Sequence, residues 1–100
     1  MPITFQPDKY NVQVIHRWTS NTGRWIVFLG QHYDGNSFCW DVGAFQTTTG
    51  ACQRFHFKEN KTGATIEYDN IKEQFKKIKG HTDEDEDRYT VLGPDGRPTN

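Results

Sequence analysis

The stretch "RWIVFLGQHY", residues 24–33, decides how this chain is read. It has the look of a β-strand, yet it does not alternate. Trp25, Val27 and Leu29 point to one side, and Ile26 and Phe28 to the other. A strand with one face on a core and one in water alternates apolar with polar residues. This strand is apolar on both faces, so something must cover the second one.

Turn signals punctuate the chain on either side of it. "SNTG" at 20–23, "DG" at 34–35, "TTTG" at 47–50 and "NKTG" at 60–63 separate five strand-like runs. These runs span 10–19, 24–33, 36–46, 51–59 and 64–69. Glycine, asparagine and aspartate supply the backbone conformations that tight turns need. Short connections between successive strands imply an antiparallel meander. The hairpins are closed at Thr19/Arg24, on Asp34-Gly35, on Thr47-Thr48 and at Glu59/Ala64. Val14, Leu29, Trp40, Phe55 and Tyr68 then fall in one row. Val12, Gln31, Phe38, Phe57 and Ile66 fall in the next, and Trp18, Trp25, Ala44 and Ala51 in another. Most of the large apolar residues share a face, and a slip of one residue would scatter them.

That face needs a lid, and "DNIKEQFKKIKG" at 69–80 reads as a helix. Asn70 is a suitable N-cap with Glu73 three residues on. Ile71, Phe75 and Ile78 make an apolar stripe, the lysines at 76, 77 and 79 suit the C-terminal end of the dipole, and Gly80 stops it. The expected fold is α+β: a curved five-stranded antiparallel meander with one C-terminal helix packed on one face. Residues 1–80 form this single domain.

Residues 1–80 carry ten Lys/Arg and seven Asp/Glu, a net charge of +3, and 81–100 carry two and six, a net of -4. The last twenty residues therefore read as an acidic, flexible tail, with a short edge strand over 88–93. The whole chain has a net charge of -1 and a pI near 6.4, which gives no strong field toward nucleic acid or membrane. No apolar h-region opens the chain and no run is long enough for a transmembrane helix, so a cytoplasmic location is expected.

The second face of the sheet is where function is expected. Its rows hold Ile15, Phe28, Asp41, Arg54 and Asp69; Gln13, Gly30, Cys39, His56 and Glu67; Asn11, His32, Ser37, Lys58 and Thr65. Ile15, Ile26 and Phe28 form a small apolar centre, with Arg17, His32 and Lys58 free to meet a ligand around it. Arg54 stands between two acids and reads as part of a cross-strand ion ladder. An apolar centre with a mixed-charge rim is the anatomy of a protein–protein surface. These six residues are the expected contact set of a binding module, an inhibitor or adaptor, or of a homodimer seam. The N-terminal "PITF" and the tail are the intramolecular alternative for covering Phe28.

Rings among cations are also how single-strand nucleic-acid binders work. A meander followed by a helix is similar in outline to Pur-alpha-type and Whirly-type repeats, although none of their motifs is present. Three acids on the face weigh against nucleic acid. The row Cys39–His56–Glu67 resembles a thiol nucleophile, its base and an orienting acid. No oxyanion-hole motif accompanies it, so binding is expected before catalysis. Cys39, His56, His32 and Cys52 lack paired metal-ligand spacing, so no metal and no cofactor is expected. Cys52 lies about 13 Å along the strands from Cys39, too far for a disulfide.

Overall fold

The computed structural model describes residues 3–77 and Val91. Four antiparallel strands are joined in sequence order: β1 (Gln13–Thr19), β2 (Trp25–Tyr33), β3 (Phe38–Gln46) and β4 (Cys52–Lys58). A single-turn 3-10 helix (Pro7–Tyr10) precedes the sheet and one α-helix, α1 (Lys61–Lys76), follows it. The fold is thus α+β, a meander with a C-terminal helix.

The expected fifth strand at 64–69 is instead the body of α1. Thr65, Ile66 and Tyr68 favour a strand locally. The longer pattern overrides them: Ala64, Tyr68, Ile71 and Phe75 are buried at helical spacing. The cap is Asn60, not Asn70, and its side-chain oxygen accepts the Gly63 backbone N–H at 2.9 Å. A Cβ on Gly63 would lie 2.4 Å from the Asn60 side chain, so glycine is what lets the cap fold over the first turn. The "NKTG" taken for a hairpin turn is therefore a helix start. Glu59, at a φ of +53°, swings the chain out of β4 into it. Ile78, Gly80, the tail at 81–100 and the expected strand at 88–93 lie outside the described residues, Val91 excepted.

The second and third hairpins are longer than expected. The second closes on four residues, Asp34 to Ser37, with the Asp34 N–H bonded to the Ser37 carbonyl. Tyr33 accordingly faces Phe38, where Asn36 was expected. In the third, Val42 faces Phe55 and Phe45 faces Cys52. Both registers move by two residues. Side chains alternate with a period of two, so an even error changes partners and preserves faces.

The first hairpin behaves differently. His16 pairs with Leu29 and Trp18 with Val27, but Val14 pairs with Gly30. Ile15 is the extra residue of a β-bulge. It flips the parity of everything before it. Val12 and Val14, expected beneath the helix, pack on the opposite side.

The helix side holds Trp25, Val27, Leu29, Val42 and Ala44 against Ala64, Tyr68, Ile71, Phe75 and Val91. Phe75 lies 5.3 Å from Trp25 and 6.1 Å from Trp18 between ring centroids, and His16 stacks on Tyr68.

The other side of the sheet has a cover of its own. Phe28 is fully buried in a second core with Phe5, Val12, Ile26 and Phe45. Its ring lies over Gly43, where a Cβ would come within 2.3 Å of Phe28 Cζ. Phe5 covers it at 4.7 Å between centroids and Tyr10 at 6.4 Å. The N-terminal segment is pinned by the Ile3 N–H, which donates to the Thr47 carbonyl at 2.7 Å. Asn11, at a φ of +56°, turns the chain back into β1. Asparagine tolerates that left-handed region better than most residues.

Candidate functional site

The six residues expected to form a contact surface separate into two groups. Ile26 and Phe28 are inside the second core and present nothing to a partner. Ile15 is partly exposed at the bulge, and Arg17 lays its guanidinium 5.5 Å over the Phe5 ring. His32 and Lys58 lie farther along the same face, where the N-terminal segment no longer covers it.

This uncovered end is the polar centre of the molecule. The two-residue change of register brings His32 opposite Cys39 and His56 opposite Asp41. Asp41 is almost wholly buried, its side chain only 8% exposed. Its two carboxylate oxygens meet two imidazoles: Oδ1 lies 2.8 Å from His56 Nδ1 and Oδ2 3.2 Å from His32 Nδ1. A buried carboxylate is tolerated only with such partners. The rings of His32 and His56 are 5.5 Å apart between centroids. Tyr10, Asn11 and Arg54 complete the walls of an open cleft of about 400 Å³. Arg54 does not pair with Asp41 as the expected ion ladder required. Its guanidinium lies 4.9 Å over the Tyr10 ring and reaches the Tyr10 carbonyl at 3.5 Å.

Cys39 forms the floor beside the histidines and is fully buried. Its thiol donates to Asp34 Oδ2 at 3.5 Å. Burial raises its pKa first, and the Asp34 carboxylate raises it further. A thiol in that environment stays protonated and is a poor nucleophile. Asp34 is itself held down to about 2 by the backbone N–H groups of Ser37 and Asn36, which both donate to its Oδ1.

The expected row of Cys39, His56 and Glu67 is not assembled. Glu67 sits on α1, against the opposite face of the sheet from Cys39 and His56. Cys39 and Cys52 are both free thiols. The group the sequence reading missed is His32, Cys39, His56 and Asp41, in which no two residues show metal-motif spacing along the chain. The signal that finds it is hairpin length: four residues in the Asp34–Ser37 turn pair His32 with Cys39, and four in the 47–50 turn pair Asp41 with His56.

A second exposed feature lies on the helix side, at the same end of the sheet. Tyr33 and Phe38 face each other across β2 and β3 with ring centroids 5.4 Å apart. They are 59% and 53% exposed. The Glu59 N–H bonds to the Phe38 carbonyl, so the pair stands where α1 begins.

No helix among the described residues is long and apolar enough to cross a membrane. Comparison with known protein families, with curated proteins and with solved structures finds no match.

Proposed function

We propose that this chain is a small non-catalytic cytoplasmic binding module whose partner is another protein, anchored on the ring pair of Tyr33 and Phe38. The observation that carries this reading is the exposure of two adjacent large rings on the helix side of the sheet, where every other large ring of the sheet is at least partly covered. Each ring offers about 100 Å², half of what a buried aromatic removes from water. At about 25 cal/mol per Å², the pair supplies roughly 5 kcal/mol of gross driving force. That is the scale of an anchoring pair in a modest-affinity interface, not of an obligate one. Asp34, next to Tyr33 in the chain, and Glu59, bonded to the Phe38 backbone, give the pair a charged rim, as protein interfaces have.

The edges of the sheet argue for face contact over strand addition. β1 is bulged and β4 carries Arg54 and Lys58, devices that discourage edge pairing. Single-stranded nucleic acid is the less favoured ligand. Its two requirements, rings and cations, fall on opposite faces: Tyr33 and Phe38 on one, Arg54 and Lys58 on the other.

The test is a selection from a displayed random-peptide library on the purified protein, with each hit measured against a Tyr33→Ser/Phe38→Ser double variant. Peptides that bind the wild type at micromolar concentration and lose about tenfold or more on the variant support the reading. Hits that bind both equally, or no hits, overturn it. Sedimentation over the same concentrations distinguishes a second copy of the chain as the occupant.

A further inference from the structure

His32, Cys39 and His56 come from three different strands, and one ligand atom from each lies within 4.8 Å of the other two. We infer that these three side chains are a binding site for a zinc-like divalent ion, with Asp41 orienting both imidazoles. The site lies on the face opposite Tyr33 and Phe38 and is independent of the protein-partner reading.

The donor chemistry selects the class of ion. Two imidazoles and a thiolate suit zinc and its neighbours in the first transition row and are poor ligands for magnesium or calcium, which prefer oxygen. Ligands around a tetrahedral zinc, bonded at about 2.0–2.3 Å, stand roughly 3.5 Å from one another. The present spread is wider than that, and His56, half exposed, has room to close it about its Asp41 contact while Cys39 is buried in the floor.

Asp41 has the placement of an outer carboxylate. Metal-bound histidines commonly give their second ring nitrogen to such a group, which fixes the tautomer and the ring. His56 Nδ1 is already in hydrogen-bond contact with it at 2.8 Å. His32 Nδ1 is sealed from solvent, 3.2 Å from Asp41 Oδ2, and completes no hydrogen bond. A small turn of the ring toward Asp41 would complete that bond and leave Nε2 as the atom that meets the ion. Charge balances as well. On binding, the Cys39 thiol gives its proton to solvent, and the thiolate with the Asp41 carboxylate neutralises a dication. Arg54 is held on the Tyr10 ring, and Lys58 stands opposite Cys39 across the strands.

Cobalt(II) is the probe. Titrated into the reduced full-length protein, it is expected to give a near-ultraviolet thiolate-to-metal charge-transfer band and intense visible bands of tetrahedral geometry, both abolished by zinc. Cys39→Ser is expected to remove the charge-transfer band, and Cys52→Ser to keep it. Losing an outer partner of a metal site typically costs 10–100-fold in affinity, so His56→Gln, losing a ligand, is expected to weaken zinc by about tenfold or more. His56 is half exposed, so this variant tests the site with the fold intact, as circular dichroism will report. Absence of the band in the wild type, its persistence in Cys39→Ser, or an unchanged zinc affinity in His56→Gln overturns the inference.

Discussion

The two faces of this sheet are covered by different means. On one, a sixteen-residue helix lays Ala64, Tyr68, Ile71 and Phe75 across the strands. On the other, an irregular N-terminal segment brings Phe5 and Tyr10 over Phe28. The helical cover is written as a period spread over many residues. The N-terminal cover is written in single residues: a ring at 5, a glycine at 43, a bulge at 15. The first kind of cover spans the sheet. The second stops short, and the part it leaves open is where His32, Cys39, Asp41 and His56 gather.

Truncating the central ring of each core compares the covers directly. Phe75→Ala and Phe28→Ala each empty a fully buried site, and each is expected to cost about 3–5 kcal/mol in urea unfolding. Near-equal losses would show that the short segment seals its core as firmly as the helix does. A loss below about 2 kcal/mol for Phe28→Ala, with the full loss for Phe75→Ala, would break that equivalence. Gly43→Ala comes next. It drives a methyl into the Phe28 ring and is expected to cost about 1–3 kcal/mol. Combined with Phe28→Leu it should cost less than alone, because the clashing ring is gone; additive costs would place the strain elsewhere.

How these faces appear in the sequence follows from the same contrast. Strand positions, the meander and the helix-side residues of β2 to β4 were legible, because the hairpin errors were even and the pleat forgives even errors. Val12 and Val14 were misplaced by the one odd event, the Ile15 bulge, which no turn residue announces. The fifth strand failed because Thr65, Ile66 and Tyr68 satisfy a strand in a short window, while the helical stripe shows only over a longer one. The intramolecular cover for Phe28 was one of the readings the sequence allowed, and Phe5 supplies it. The polar cluster was hidden, since it depends on pairing His32 with Cys39 and Asp41 with His56, and two extra residues in each of two turns decide these pairs.

Smaller effects test how the helical cover begins and how the intervening turn is held. Asn60→Ala removes the cap of α1 and is expected to cost about 1 kcal/mol, with thermal unfolding as the measurement. Asn70→Ala should cost much less, since Asn70 is exposed within α1; the reverse order would restore the later helix start. The smallest effect concerns Asp34. Its folded pKa, about 2, lies below the ordinary value of 3.8. A depressed carboxylate stabilises the fold fully above the unfolded pKa and loses that contribution as pH falls through the folded one. The difference in melting temperature between the wild type and Asp34→Asn is therefore expected to be flat above about pH 5 and to shrink between about pH 4 and 2. A difference that does not change across that window would mean the Ser37 and Asn36 amides do not hold the carboxylate.

The bulge at Ile15 has a consequence for how this chain tolerates change. Its side chain sits partly in water and touches neither core's centre, so a substitution scan would score the position as permissive. Deletion is expected to be permissive too. Without the extra residue, Val14 and His16 become neighbours, and alternation leaves them on the opposite faces they occupy now, against Gly30 and Leu29 in a regular ladder. Trp18 keeps the helix and the valines keep Phe28, so at this position the chain is nearly indifferent to identity and can lose the residue altogether: it is a spare link, and the cores lie on either side of it.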